Sequence, residues 1–463
     1  LATLNALSDV ALINAGNDFN QIAITQADTA EIFDRNGFTS VGMTVVNALG
    51  LRSTGNITIG TSCITDCVNS HGISTKNLKI QSDAAVTVAK NISATDTIDI
   101  NAQGVIVNDS ITSKQFTLNA GNSKLLLNES GSLIGQSGGS IDIFANNIEQ
   151  YSTIASNGSI KAQATGDIVM AERAAMESLS GNVELNGRNL QLGQIKATTG
   201  SAIMNAQGAI TDGNGGAINI ISNAWHADAL NGIGKGIAQT GDFDAIETAV
   251  NRLSVRNAGN IQSGGQGSTI NISNANALVI EQLRNNGHIT LFNVGDVTLD
   301  NTNNEQFDIS NPDARIQGGV INTNIGGREQ LVVNVSGGVV RAENKANKKN
   351  PDIIADVASF KLGGNYDFGE RNRKIIMHVP EYYAQESRYS FREWHIAKPK
   401  VIVDLSRVPS DSFISGRDQL IQIEGLSEID PAIFTSLRNY VHDEIAILLP
   451  LDQRFDDDDV AAY

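Results

Sequence analysis

The segment Gly139-Ser-Ile-Asp-Ile143 returns in altered form as Gly158-Ser-Ile-Lys-Ala162 and again as Gly181-Asn-Val-Glu-Leu185. The leading glycines are 19 and then 23 residues apart. Within each segment apolar and polar side chains alternate, which is the periodicity of a strand with one buried face. Gly and Asn at the segment ends tolerate left-handed backbone conformations, so we expect them to mark turns. The pattern therefore predicts a strand-only repeat of about 20 residues.

The same pattern extends well beyond these three segments, for example to Gly55-Asn-Ile-Thr-Ile59 and Gly287-His-Ile-Thr-Leu291. One coil of strands cannot bury its own apolar face, whereas stacked coils can. All seven prolines lie at or after Pro312, which suits interior strands that need every backbone N–H for their ladders. The sequence predicts an all-β, right-handed parallel β-helix (a β-solenoid), in preference to a β-sandwich or a propeller array.

The composition changes along the chain and predicts three regions. Residues 1–50 are a lead-in or cap of the solenoid, residues 51–345 carry the solenoid repeats, and residues 346–463 form a smaller mixed α/β region with an acidic tail. The third region is richer in proline and tyrosine than the repeats. The capping of an open solenoid end is one role for this region, and the docking of a partner is another.

Short patterns predict the elements of this third region. We expect strands at Lys374–Val379 and Lys400–Leu405, and a helix at Glu381–Trp394 that begins after Pro380. Asp430-Pro431 has the form of a helix N-cap followed by proline at the first helical position.

Charge and length restrict the function classes. The 463 residues include 33 basic and 50 acidic side chains, for a formal net charge of −17. A chain that binds the phosphate backbone needs a basic surface, so we expect no nucleic-acid partner. No apolar run reaches the length of about 18 residues that a membrane helix requires, so no transmembrane helix is expected. Because the chain starts at Leu1 without a leader, we interpret it as a processed product or a fragment.

The two cysteines form a compact candidate site. Cys63 and Cys67 occur in Cys-Ile-Thr-Asp-Cys, within a polar insertion between strands. A local disulfide is the first prediction for an oxidising compartment. Two alternatives stay open: unpaired thiols, or a metal site to which His71 adds a third ligand.

The acidic tail is the second candidate site. Asp456, Asp457, Asp458 and Asp459 are adjacent carboxylates that repel one another unless they are neutralised. Calcium suits such oxygen ligands and is the cofactor that this run suggests. The alternatives are a basic patch on another subunit and a solvated tail.

The sequence contains no recognisable catalytic motif. Gly-x-Ser-x-Gly and the Gly-x4-Gly-Lys phosphate loop are both missing. The histidines do not fall in nucleophile motifs, and lone histidines are most often structural. We therefore predict that the chain is not an enzyme. The six histidines are His71, His226, His288, His378, His395 and His442.

The segments Gly104-Val-Ile-Val107, Leu179-Ser-Gly-Asn-Val-Glu-Leu185 and Ala206-Gln-Gly-Ala-Ile-Thr211 carry a family resemblance. They are similar to the repeat body of filamentous haemagglutinin-like bacterial exoproteins. The resemblance spans roughly residues 50–340. It implies a Gram-negative cell-surface or extracellular location.

These observations lead to three functional hypotheses. The first is an extracellular structural protein, a β-solenoid subunit of a cell-surface filament, sheath or matrix whose partners are copies of itself or other surface proteins. The second is an adhesin stalk that binds glycans or proteins of a host or neighbouring cell. The third, less favoured, is a polysaccharide lyase or hydrolase, which would need paired carboxylates or a calcium site.

Overall fold

The computed structural model describes residues 2–60, 72–234, 245–258, 269–302, 319–323, 330–336, 338, 340–343, 352–355, 357–363, 375–378, 381–385, 395–396 and 400–402. The chain divides into two compact units, Leu1–His226 and Ala227–Tyr463. The structure is all-β, about 67% strand, and the described residues contain no helix. The strands pair in parallel as turns of a β-solenoid, which confirms the all-β parallel solenoid for these residues, while the right-handed winding stays a prediction.

The first unit consists of short strands that repeat three to a turn over most of its length. Its described residues contain 24 strands, of which the last crosses the boundary between the units. The strands are β1 (Ala2–Asn5), β2 (Val10–Leu12), β3 (Gln21–Asp34), β4 (Gly37–Ser53), β5 (Asn56–Ile59), β6 (Ile73–Ser82), β7 (Val86–Val88), β8 (Ile92–Asn101), β9 (Val105–Val107), β10 (Ser110–Ser113), β11 (Gln115–Asn119), β12 (Lys124–Leu127), β13 (Ser132–Gly135), β14 (Ile141–Ala145), β15 (Asn147–Gln150), β16 (Thr153–Ser156), β17 (Ile160–Ala164), β18 (Ile168–Met170), β19 (Ala175–Ser178), β20 (Val183–Gly187), β21 (Leu190–Leu192), β22 (Gln194–Ala206), β23 (Ile210–Asp212) and β24 (Ile220–Ala229).

Three parallel ladders hold the turns of the first unit together. One joins β10, β13, β16, β19 and β22, the second joins β11, β14, β17, β20 and β22, and the third joins β9, β12, β15, β18, β21 and β23. Because strands in register stack about 4.8 Å apart, equivalent side chains form columns along the stack. An inner column is a column of side chains that faces the interior of the solenoid. An outer column is one that faces solvent.

The inner columns explain why the apolar positions alternate. From Ile57 onwards, one of them contains only Ile, Val and Leu, each fully buried, and full burial of such a side chain is worth about 1.5–3 kcal/mol. A slip of one residue would turn the whole column to solvent, so the apolar pattern fixes the register. This column contains Ile57, Val86, Val105, Leu125, Ile148, Ile168, Leu190 and Ile210.

The glycines before the strands have a different role from the predicted one. Gly139, Gly158 and Gly181 lie in the connections between strands, as predicted, but they do not adopt left-handed backbone conformations. They are needed because consecutive turns approach closely: a Cβ on Gly158 would collide with the carbonyl oxygen of Gly139. The Gly158 N–H donates to that carbonyl at 2.8 Å, and the buried Ser156 hydroxyl donates to it at 2.7 Å.

The second unit is also built of strands that pair in parallel. Its described residues contain 14 further strands. These are β25 (Ile246–Asn257), β26 (Thr269–Asn274), β27 (Leu278–Asn285), β28 (His288–Val294), β29 (Val297–Leu299), β30 (Ile321–Asn322), β31 (Gln330–Ser336), β32 (Val340–Ala342), β33 (Ile353–Ile354), β34 (Val357–Gly363), β35 (Ile376–His378), β36 (Glu381–Gln385), β37 (His395–Ile396) and β38 (Lys400–Ile402).

Asparagine occupies buried positions in the second unit, whereas the alternation of apolar and polar residues predicts that polar side chains face solvent. The Asn257 side-chain amide donates to the Oδ1 atom of Asn285 at 2.7 Å, and that of Asn274 donates to Asn293 at 2.9 Å. All four side chains are buried. Each pair occupies register positions of adjacent strands, so amide–amide hydrogen bonds offset the cost of desolvation.

The third predicted region is described only in part. Strands β35 and β38 lie inside the predicted strands Lys374–Val379 and Lys400–Leu405. The helix predicted at Glu381–Trp394 is wrong at its start, because Glu381–Gln385 is strand β36, paired in parallel with β34 and β38. Tyrosine-rich sequence favours a strand where a ladder is available to continue. The predicted helix that begins at Asp430 lies outside the described residues, and the three predicted region boundaries stay predictions.

Candidate functional site

The residues that the sequence proposed as sites lie outside the described part of the chain. This applies to Cys63 and Cys67, to His71, and to the acidic run Asp456–Asp459. The disulfide and the calcium site therefore stay predictions. Among the described residues, no group of three or more His, Cys, Asp or Glu side chains is placed to hold a metal ion. Nor does any described segment form a helix with the length and apolarity needed to cross a bilayer.

Charged side chains on the outer columns pair from one turn to the next. Because register partners are about 4.8 Å apart, opposite charges at these positions meet without backbone adjustment. Such exposed pairs contribute about 0–1 kcal/mol each to the free energy of unfolding. In the first unit the register partners Lys161 and Glu184 pair at 3.1 Å. Lys124 pairs at 3.0 Å with Glu149, which lies two residues beyond its own register partner, and Arg188 pairs at 2.7 Å with Asp167 in the connections between strands.

The Arg188–Asp167 pair has two parallel hydrogen bonds. The Arg188 Nε and Nη2 atoms donate to the two carboxylate oxygens of Asp167 at 2.9 and 2.7 Å. These bonds lower the pKa of Asp167 and raise that of Arg188, and the Asn189 amide lowers the Asp167 pKa further. Burial raises the pKa of Glu184, but hydrogen bonds from Asn186 and Lys161 outweigh it, and the net pKa is lowered.

Arg252 in the second unit joins two carboxylates. Its guanidinium donates to Glu281 at 2.6 Å and to Asp300 at 3.1 Å. The hydrogen bond to Glu281 is the main cause of the raised pKa of Arg252. For Asp300, burial raises the pKa, while hydrogen bonds from Thr302 and Arg252 lower it by more. Arg252 thus offsets part of the negative charge of these two carboxylates.

One outer column of the first unit departs from this pairing and lies in a groove. The groove has a volume of about 470 Å³, within the range of small-ligand sites. It crosses the ladder of β13, β16, β19 and β22. Its floor includes Ile134 and Ala155, which are register partners, and Leu179 borders it with 58% of its surface exposed.

Glu177 and Lys196 continue the same outer column on the next two turns. Ala155 is the register partner of Glu177, and Glu177 is the register partner of Lys196. Lys161 and Glu184 have the same register relation and form an ion pair, whereas Glu177 and Lys196 form none with any described residue. The groove therefore presents one unpaired carboxylate and one unpaired ammonium group.

The other polar side chains of the groove come from the connections that follow β13 and β16 and from strand β22. Gln136, Ser137, Asn157 and Thr198 line it, and all but the half-buried Asn157 are exposed. Within the described structure, none of these four side chains makes a hydrogen bond to another residue. Their donors and acceptors are free for water or a ligand.

Sequence reasoning missed this groove. Ile134, Ala155, Glu177 and Lys196 are 21, 22 and 19 residues apart along the chain, so no fixed period aligns them. The available signal was the placement of charged residues on the solvated face of predicted strands. Most turns share this feature, so it does not single out the groove. Only the register brings these four residues into one column.

Comparison with known proteins adds no relative. No protein-family model, no curated protein and no solved structure matches this chain.

Proposed function

We propose that the chain is an extracellular structural protein, a β-solenoid subunit of a bacterial cell-surface filament, sheath or matrix. The observation that supports this most is the continuous main-chain ladder in each unit, in which consecutive turns share in-register parallel hydrogen bonds. Such ladders carry load between neighbouring turns without relying on a large globular core. The formal charge of −17 would keep single chains soluble until a partner or cation neutralises it.

The partners in this proposal are copies of the chain or other surface proteins. The resemblance to filamentous haemagglutinin-like exoproteins supports a surface location. Calcium bound by Asp456–Asp459 is the proposed assembly cation, because four adjacent carboxylates favour a hard divalent ion.

Electron microscopy of the purified full chain tests assembly. We expect ordered fibres or sheets in calcium chloride and dispersal after addition of a chelator. A variant with asparagine at Asp456–Asp459 should lose the calcium response, and a variant with asparagine at Asp83, Asp96, Asp99 and Asp142 controls for the four lost charges. Dispersed single particles both with and without calcium would contradict the proposal; assembly that ignores calcium would contradict only the cation's role.

The groove favours a second function, that of an adhesin stalk. Its unpaired polar groups provide a place for contact with glycans or proteins of another cell. Binding of the purified, unassembled chain to cell surfaces would support the adhesin function over the structural one.

A further inference from the structure

We propose that the groove over β13, β16, β19 and β22 binds a linear glycan of mainly neutral sugars, with about three consecutive rings along the stack. This proposal does not depend on assembly, because all of its residues lie in the first unit. It begins from the groove volume of about 470 Å³ and the unpaired polar lining.

The direction of the groove restricts the ligand. It crosses four strands, so its length between the outer strands is about 14 Å, and a ligand meets an equivalent side-chain position every 4.8 Å or so. An extended peptide presents the same face only once in about 6.6 Å, so it falls out of step with the turns. One ring of an extended glycan is close in length to one turn of the stack. In a β-1,4-linked chain the rings alternate in face, so every second ring presents the same face to every second turn, and the chain stays in step with the stack.

The chemistry of the lining matches a hydroxyl-rich chain. The Gln136 and Asn157 amides and the Thr198 hydroxyl can both donate and accept, as sugar hydroxyls require. Ile134 and Leu179 offer apolar surface for the C–H faces of sugar rings.

The two charges favour neutral sugars over a polyanion. Glu177 accepts hydrogen bonds from hydroxyls but repels sugar carboxylates, and the net charge of −17 acts in the same direction. Lys196 provides three donors one turn away, which suit a ring hydroxyl or an acetamido carbonyl.

Saturation-transfer NMR on the full chain tests this with three probes: cellotetraose, N,N′,N″,N‴-tetraacetylchitotetraose and tetragalacturonate. We expect at least one neutral probe to bind with millimolar affinity or better, and tetragalacturonate to bind more weakly. Absence of binding by both neutral probes, or tighter binding of the polyanion, would overturn the proposal. Stronger binding of an uncharged extended decapeptide would also overturn it.

Variants place the ligand in the groove. Ala155→Arg puts a large side chain on the groove floor without entering the core, and should weaken binding at least about tenfold. Val169→Arg is the matched control, because Val169 is an exposed residue of β18 outside the groove, and it should leave binding unchanged. Equal binding by Ala155→Arg and wild type would overturn the assignment.

Lys196→Ala is a second variant. Unlike Ala155→Arg, it adds no bulky side chain that the fold must accommodate. It removes charge-assisted hydrogen bonds and should weaken binding about tenfold while the melting temperature stays that of the wild type. Unchanged affinity in this variant would contradict the assigned position of the chain.

Discussion

Ile154 and Ile134 are isoleucines on adjacent strands of one ladder that face opposite ways. Ile154 is fully buried between its register partners Leu133 and Met176, whereas Ile134 is 40% exposed and lies in the groove. Residues of the same type thus differ in role only through the alternation of the strand.

Ile154→Ala should lower the free energy of unfolding by about 2–5 kcal/mol, because it leaves a cavity in an inner column. Ile134→Ala, the matched control, should change it by less than about 1 kcal/mol. Urea denaturation followed by circular dichroism measures both. Equal losses in the two variants would show that the alternation of buried and exposed faces is wrong.

The Arg188–Asp167 pair gives a pH-dependent contribution at the residue scale. The pKa of Asp167 is lowered in the folded chain, so its stabilising effect is present above the unfolded-state pKa of about 3.9 and is lost as the pH falls through the folded-state value. Both side chains are partly exposed, so solvent screens the pair and its effect on stability at pH 7 is small.

Asp167→Asn should therefore be less stable than the wild type at about pH 7, with a difference that shrinks towards about pH 3. Urea denaturation over this pH range measures the difference. Arg188→Gln should show the same trend, and the double variant should lose little more than either single one. A difference that grows as the pH falls would contradict the sign of the shift.

At the scale of the elements, the close approach of consecutive solenoid turns limits which residues fit in the connections before the strands. Glycines such as Gly158 precede strands because the preceding turn leaves no room for a Cβ, and the local strand pattern alone does not reveal this. This steric limit comes from the neighbouring solenoid turn. The sequence pattern therefore predicted the positions of the connections between strands, but not the reason that glycine occupies them.

Gly158→Ala should destabilise the fold by about 2 kcal/mol or more, because the added methyl group would overlap the carbonyl of Gly139. Gly216→Ala is the control: its Cβ would have nothing within 4 Å, and it should change stability by less than about 0.5 kcal/mol. Thermal unfolding compares the two. A neutral Gly158→Ala variant would mean that the turns are further apart than described.

At the scale of the whole molecule, the sequence predicted the fold class and missed the groove. Alternation, spaced glycines and the absence of proline before Pro312 indicate stacked strands because each is a local property. The groove depends on register across turns of unequal length, and the buried asparagines such as Asn274 depend on partners one turn away. The helix predicted at Glu381 was wrong at its start because residues 381–385 extend the parallel ladder of β34, a partner that the local sequence does not reveal.

The in-register stacking of consecutive turns is the central claim, and engineered disulfides test it most directly. In a Cys63→Ser, Cys67→Ser background, cysteines would replace Thr117 and Asp142, which are outer register partners, or Thr117 and Lys161, which are two turns apart. Register partners are separated by about 4.8 Å and fall within disulfide range, whereas two turns span about 9.6 Å and exceed it.

After oxidation with glutathione disulfide, a free-thiol assay and non-reducing mass spectrometry report the bond. We predict that the Thr117→Cys, Asp142→Cys pair loses both thiols to an internal disulfide and that the Thr117→Cys, Lys161→Cys pair does not. Closure of the second pair as readily as the first, or no closure of the first, would contradict the stacked arrangement.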